Sequence, residues 1–412
     1  MNLHILGICG TFMGGVAALA RELGHRVQGS DANVYPPMST QLEKLGIGLY
    51  SGYASADIAT DTDCVVIGNA LSRGNPAVEH VLNQQINYRS GAQWLSENVL
   101  PGRHALAVAG THGNERNAPW LLEQWKARPE LLRHAGLELQ LTIGNPEAFA
   151  ANRRYLDRDL NRCFTPDLLA DTSRTEREVQ RARDLLTAHG PEGSQPCAVV
   201  LDLHSTTSAM GNSLVVYGRR PADLALAAGI QARLGLPVYL HEADAAQTGF
   251  LVERWPAGLV IEVGPVPQGL VSAVICRQTQ LALEAALDTV AAAAAGRLRL
   301  PHALQVHLHH SSLDLPRSPQ GVPAAALHPQ RQHRDWQPLQ PGDPLFWSAD
   351  GAALPLEQGS ALEAGARWPV FINEAAYGEK GIALSLCRRE LWACDSSWAE
   401  ALGALVQRSG PL

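Results

Sequence analysis

The sequence predicts an α/β chain built in several layers, with more than one core. Three observations carry this. Residues 3–31 read as a strand, a glycine-rich turn, a helix and a second strand ending in an acid. Residues 103–295 alternate short apolar runs with helical stretches, the pattern of a mostly parallel sheet covered on both faces. Past an alanine-rich helix over 270–295 the composition shifts. Residues 301–390 hold short runs and turn signals such as Gln340-Pro341-Gly342-Asp343-Pro344, which predicts a small β-rich C-terminal domain. A length of 412 residues leaves room for two or three domains.

Bulk properties exclude some functions. A net charge of −7 gives no domain-wide basic face for nucleic acid. No apolar run has the length of a membrane span. The start, Met1-Asn2-Leu3-His4-Ile5, enters a strand without the charged region and cleavage site of a signal peptide. Seven cysteines are scattered, with no C-x-x-C pair, so a reduced cytoplasmic chain is expected.

The first strand, Leu3-His4-Ile5-Leu6, enters Gly7-Ile8-Cys9-Gly10-Thr11-Phe12-Met13-Gly14-Gly15 and a helix over 16–23. A second strand over 24–31 ends at Asp31. This is a Rossmann-like opening. Gly7, Gly10, Thr11 and Gly14 would let the backbone approach a phosphate at the helix N-terminus, with Asp31 at the next strand end. A tight turn with no ligand fits the glycines alone equally well. The later strings Gly68-Asn69-Ala70 and Arg73-Gly74-Asn75-Pro76 extend the pattern. Together these residues resemble the N-terminal domain of the Mur ligases, nearest the murein peptide ligases, over about residues 1–113. The resemblance implies a UDP-sugar site at Gly7, Gly10, Thr11, Gly14 and Asp31 in a domain over 1–102. In those ligases the next strand runs into a phosphate-binding Lys-Thr-Thr. Here Ala109-Gly110-Thr111-His112-Gly113 is followed by Asn114-Glu115-Arg116, without the lysine or the magnesium-binding hydroxyl, so ligation is not expected.

Further on, strands are expected over 105–109, 137–143, 198–203, 213–217, 238–240 and 258–263. Helices are expected over 118–124, 176–187, 222–234 and 270–295, and a weakly amphipathic one over 398–406 in a tail from residue 393. The strand at 105–109 stops at a glycine-rich corner, where α/β proteins display chemistry. His112 and Glu115, separated by two residues on that corner, can turn toward one metal ion. His204 stands at the end of another apolar run and would complete a three-ligand zinc site with the fourth position open.

Five strings follow in order: Gly110-Thr111-His112-Gly113-Asn114-Glu115, Gly144-Asn145-Pro146, 153–162, Asp202-Leu203-His204-Ser205-Thr206-Thr207 and Ile261-Glu262-Val263-Gly264-Pro265. They resemble the aspartoacylase and succinylglutamate desuccinylase family of zinc amidohydrolases, its aspartoacylase branch most closely, over about 103–390. The resemblance implies a zinc-carboxypeptidase-like α/β/α domain over 103–298 and a β-rich domain over 299–392. It implies one Zn²⁺ on His112, Glu115 and His204. It makes Glu262 the general base and then acid, and Arg154 the group that steadies the oxyanion. It gives Asn161 and Arg162 the substrate α-carboxylate, and Tyr377, in Phe371-Ile372-Asn373-Glu374-Ala375-Ala376-Tyr377, a hydrogen bond to substrate. It also implies a homodimer. The two resemblances meet at the shared string Gly-Thr-His-Gly.

The expected reaction is hydrolysis of an N-acyl amino acid, N-acetyl-L-aspartate first. A desuccinylase or a broader N-acyl amino-acid hydrolase is the alternative, and a UDP-muramyl binding protein the reading of another class. Aspartoacylases grip the aspartate side chain with a tyrosine and an arginine in the loop before the catalytic glutamate. The loop here, 246–255, matches neither clearly, and Arg254 substitutes only if the loop shifts. Arg153 and Arg158 are expected to be solvated. Asp202 fits a positioning role toward a ligand and a buried structural bond equally. His307, His309 and His310 are expected on an exposed strand face.

Overall fold

A computed structural model of the chain describes residues 1–98, 103–242, 247–355 and 367–407. Ala246, the first residue of the loop before Glu262, lies outside them, as do 408–412 of the tail. The chain divides into two compact units, Met1–Pro101 and Gly102–Leu412.

In the first unit, β1 (Asn2–Leu6), α1 (Thr11–Glu22), β2 (Arg26–Asp31), α2 (Met38–Lys44), β3 (Gly48–Ser51), β4 (Cys64–Ile67), α3 (Pro76–Asn83), β5 (Tyr88–Ser90) and α4 (Gly91–Asn98) follow in order. The strands form a parallel sheet in the order β3-β2-β1-β4-β5. Alternation along β1 explains its burial on both faces. Leu3 and Ile5 pack with Val16, Ala17 and Ala20 of α1, while Leu6 packs with Val65, Val78 and Val81.

The second unit runs β6 (Arg103–Ala109), α5 (Asn117–Ala127), β7 (Leu139–Ile143), α6 (Pro146–Ala150), α7 (Pro166–Ala170), α8 (Arg177–His189), β8 (Cys197–Ser205) and β9 (Gly211–Tyr217). It continues with α9 (Pro221–Leu234), β10 (Val238–His241), β11 (Ala257–Gly264), α10 (Ala273–Ala294) and β12 (Ala303–Leu313). Then come β13 (Ala325–Leu327), β14 (Pro344–Ser348), β15 (Ala353–Pro355), β16 (Trp368–Val370), β17 (Leu384–Ala393) and α11 (Ser396–Gln407). A nine-stranded sheet has the order β16-β17-β12-β10-β9-β11-β8-β6-β7. Its centre is parallel except where β9 meets β11, and β17 runs antiparallel to both of its neighbours, β12 and β16.

Each central strand sends alternate residues to two cores. On one face Ala107, Leu201, Leu203, Leu259 and Ile261 meet the apolar sides of α5, α9, α10 and α11. On the other, Val108, Val200 and Val260 meet Val179 and Ala182 of α8, with Phe164 and Trp255. Two-sided burial is why these strands read as continuous apolar runs. Strands on both sides of residue 299 share this sheet. Only β13, β14 and β15 form the separate small antiparallel sheet, over a core of Leu339, Leu345, Phe346 and Leu384.

Within the histidine cluster His310 is exposed as expected, but His307 is not. His307 is 3% exposed, with its ring against Trp336 and Trp368. Pairing with β17 on one side and β10 on the other makes β12 an interior strand. Burial, and then Arg389, holds the His307 imidazole neutral down to about 4, against an ordinary 6.5. The unfolded chain takes up that proton near 6.5, so the stabilisation is complete above that pH and is lost as pH falls toward about 4. Denaturation followed by tryptophan fluorescence is therefore expected to show a midpoint that drops between pH 7 and 4.5. His307→Phe is expected to flatten the drop, and an equally steep profile in that variant contradicts the assignment. No described helix is long and apolar enough to cross a membrane.

Candidate active site

The corner after β6 is built by two glycines. Gly110 has φ +68°, a region side chains avoid. A Cβ on Gly113 would lie 2.1 Å from the Ala148 carbonyl carbon of α6. The tight corner turns His112 and Glu115 inward, and His204 arrives from the end of β8. All three are buried, and their ligand atoms lie within 4.8 Å of one another.

The donor geometry is specific. Glu115 places Oε1 2.6 Å from His112 Nδ1 and Oε2 3.1 Å from His204 Nδ1. Each imidazole has a second carboxylate on its far nitrogen. His112 Nε2 is 2.9 Å from Asp159 Oδ1, and His204 Nε2 is 2.8 Å from Asp202 Oδ2. A carboxylate only accepts, so each imidazole held between two carboxylates can donate from both nitrogens; a cation taking the place of the two Nδ1 protons would face both Nδ1 lone pairs and the Glu115 carboxylate while Nε2 still donates to Asp159 and Asp202. Carboxylates that hold the outer nitrogens of ligand imidazoles are the usual support of a metal site. The residues present thus fit a zinc ion, a His₂Glu set with the remaining position free. Asp202 also accepts from the Thr111 hydroxyl at 2.6 Å, so it serves in both of the roles its sequence position allowed.

Glu262, at the end of β11, pairs in register with His204 and lines the same cavity. Burial pushes its carboxyl well above the usual carboxylate range; the His204 charge pulls down, while Glu115 and Glu374 push further up. For Glu115 burial also pushes upward, but His204 and His112 overcome it and hold the group below its ordinary value. His204 is raised: Asp202 and Glu115 outweigh its burial.

Residues 153–162 form an irregular segment over the site. Arg154 Nη2 donates to Asp159 Oδ2 at 3.1 Å, and Nη1 is 3.7 Å from Glu115 Oε1. Asn161 accepts the Leu251 N–H at 2.8 Å, which leaves its amide NH₂ to donate. Arg162 donates to the Asn161 carbonyl at 2.6 Å and to Gln247 Oε1 at 3.2 Å. Tyr377 reaches the cavity from the turn Ala375–Lys380. Arg153 is exposed, and Arg158 stands half-exposed 3.9 Å from Glu176. Arg254 ends a short 3₁₀ turn, Leu251–Arg254, exposed and outside the cavity lining.

Four contributors escape a sequence reading. Asp159 links His112 to Arg154. Lys380 lies 3.7 Å from Asp159, and burial, followed by Arg162, brings it down to about 8. Glu374 accepts from the Thr206 and Thr207 hydroxyls and from the Thr207 and Ser208 amides, tying the Tyr377 segment to the end of β8. Glu178, fully buried in α8, accepts from the backbone of Leu156, Asp157 and Arg158 at 2.7, 3.1 and 3.1 Å and from Asn145. Glu178 thus shapes the segment that carries Arg154 and Arg162. Its replacement by alanine leaves buried donors unpaired, and a loss of about 3 kcal/mol in unfolding free energy is expected. An unchanged denaturant midpoint contradicts that role.

In the first unit, Gly7, Gly10, Thr11 and Asp31 line one cavity. Gly14 does not line it: a Cβ there would lie 2.6 Å from Met38 Sδ, so this glycine serves the packing of α1 on α2. The Asp31 carboxylate accepts from the backbone N–H groups of Cys9 and Asn33, both at 2.9 Å.

Comparison with known proteins matches three family models along the chain. Residues 2–101 match the Mur ligase family, catalytic domain. Residues 101–290 match the succinylglutamate desuccinylase/aspartoacylase catalytic domain, and 302–389 the barrel-sandwich hybrid domain of the same family. A probable aspartoacylase of Parasynechococcus marenigrum is 60% identical over 301 residues, 73% of this chain and 98% of that protein. The chain belongs to the succinylglutamate desuccinylase/aspartoacylase family. A second family member, the probable aspartoacylase of Synechococcus sp., is 58% identical across 73% of this chain and 97% of its own length. Among solved structures, murine aminoacylase 3 aligns with a TM-score of 0.63 at 32% identity, covering 71% of this chain and 97% of that one. Family membership thus applies to the part of the chain that holds the His112-Glu115-His204 group. The Mur ligase match covers residues 2–101.

Proposed function

We propose that the chain is a zinc-dependent hydrolase of N-acyl amino acids, releasing a carboxylate and a free amino acid. The observation that carries this is the pair of imidazoles presenting Nδ1 to Glu115 while Asp159 and Asp202 hold their outer nitrogens. When bound, the metal supplies the Lewis acidity that brings the pKa of water near neutrality. The chain's own residues do the rest. Glu262 accepts a proton from the attacking water and returns it to the leaving nitrogen, and its burial favours the protonated form it needs midway. Arg154 donates to the oxyanion; its Nε–H has no partner among the described residues and is left to serve. Arg162 and the Asn161 amide hold the α-carboxylate, the first as a fork of donors. Tyr377, in the lining of the same cavity, donates to substrate.

The relatives are named probable aspartoacylases, which supports aspartate as the amino acid. A desuccinylase shares the same metal set and differs in the acyl group it accepts, so rates across acyl donors separate the two. The test of the class is release of free amino acid from a panel of N-acetyl and N-succinyl amino acids by the metal-loaded chain. Release above the uncatalysed rate is expected, and none from any member overturns the reading.

A second reading attaches to residues 1–101 alone. The Mur ligase match and the cavity at Gly7, Gly10, Thr11 and Asp31 support a UDP-sugar site there. Calorimetry with UDP-N-acetylmuramate tests it, and absence of heat at millimolar ligand rules it out.

A further inference from the structure

Arg116, half-buried and next in the chain to Glu115, takes no part in the mechanism above, and the inference from it rests on that hydrolase reading. It stands at the N-cap of α5 and is not among the residues lining the cavity. Its guanidinium lies over the Phe149 ring of α6, 3.7 Å from the centroid. Nη1 donates to the Phe149 carbonyl at 2.6 Å and, at the longer distance of 3.4 Å, to the Gly113 carbonyl. One side chain thus ties the end of α6 to the corner that carries His112 and Glu115. Arginine suits the place because a planar fork can cover a ring and donate from its edge at once, which a lysine ammonium cannot do.

The chain that leaves α6 gives this clamp its consequence. Asn152 N–H donates to the Phe149 carbonyl at 3.1 Å and Arg153 N–H to the Ala148 carbonyl at 3.0 Å, so the turn that leads to Arg154 is fixed on α6. Gly113 N–H donates to the Arg154 carbonyl at 3.1 Å. Gly113 is therefore held at its N–H by Arg154 and at its carbonyl by Arg116. A ring of contacts closes from the corner through Arg116, α6 and Arg154 back to the corner. The Arg154 guanidinium, 3.7 Å from Glu115 Oε1, takes its place beside the metal group from this ring. The segment beyond it is held separately, by Glu178 on the backbone of Leu156, Asp157 and Arg158. Asn161 and Arg162 follow on that far side, so loss of the clamp reaches Arg154 and leaves the α-carboxylate residues in place.

We propose that Arg116 is a positioning residue, which clamps α6 to the metal corner and thereby sets where the Arg154 guanidinium stands relative to His112 and Glu115. The test is kinetic, on the zinc-loaded full chain with the N-acyl amino acid of the panel above that it turns over fastest. Arg116→Met is expected to lower kcat about 10-fold, with KM within about twofold and zinc content unchanged, because a displaced oxyanion donor fails in the transition state and not in binding. Arg154→Met alone is expected to lower kcat by about 10²-fold or more. Adding Arg116→Met to that variant is expected to lower it no further, since the first residue acts through the second. A merely structural role would lower the denaturation midpoint and leave kcat of the folded, zinc-loaded chain alone. Unchanged kcat in Arg116→Met overturns the proposal, and so does a loss that persists in full on the Arg154→Met background. Should Arg116→Met fail to fold, Arg116→Lys, which keeps the charge and the stem but not the planar fork, is read in the same cycle with the same two outcomes. These results leave the hydrolase reading standing. No turnover of any panel member by the unmodified chain overturns that reading and this proposal with it.

Discussion

Glu262→Gln is expected to lower kcat by about 10²–10⁴-fold while metal content stays unchanged. The carboxylate ends β11 beside His204, yet it makes no part of the ligand group His112, Glu115 and His204. Glutamine keeps the shape and can still accept through its carbonyl, but it cannot carry a proton. The loss therefore falls on the proton transfers and not on assembly of the site. The pH profile gives a second readout. Burial raises the Glu262 carboxyl above its ordinary range, so the base form, and turnover with it, rises with pH through that higher value. The acidic limb should be absent from whatever activity Glu262→Gln retains. Full turnover in the variant with metal bound would remove Glu262 from the mechanism.

His204→Ala is expected to reduce both bound zinc and turnover to background, because two ligands remain of a three-ligand set. The contrast with Asp202→Asn makes this informative. Asp202 holds the outer nitrogen of His204 and the Thr111 hydroxyl but is not one of the three ligands, so its amide variant should keep the metal and bind it about 10–100-fold more weakly, the usual cost of an outer-sphere partner. Asp159→Asn should fall in the same class through His112, with a further loss in kcat because Arg154 loses its carboxylate. The graded series is measured by metal titration against a competing chelator. Equal metal affinity in His204→Ala and the unmodified chain would show that the imidazole is not a ligand.

The convergence of His112, Glu115, His204 and Glu262 was legible because each lies at or just past the end of a short apolar run, within a string whose spacing survives without tertiary information. The sheet was legible for the same reason, since strands buried on both faces leave continuous apolar runs. Glu178 was not. It occupies the first turn of α8, where an acid ordinarily faces water, and only the approach of residues 156–158 from elsewhere in the chain makes it a buried acceptor. Asp159 lay in plain view among four arginines, but nothing in the string separates it from Asp157. Its role follows from His112 reaching it across 47 positions. His307 and His309 alternate like an exposed face. The sheet overrides that pattern by placing β12 between β10 and β17. Gly14 looked like part of a phosphate turn, and its actual constraint comes from Met38 on a different helix.

The most direct test is the zinc content of the purified full chain, measured together with release of amino acid from N-acetyl-L-aspartate and the rest of the N-acyl amino-acid panel before and after chelation. The site predicts about one zinc per chain, turnover that disappears on chelation and its return when zinc is restored. A chain that binds no zinc, or one that hydrolyses these substrates undiminished after the metal is gone, would contradict a metal centre at His112, Glu115 and His204.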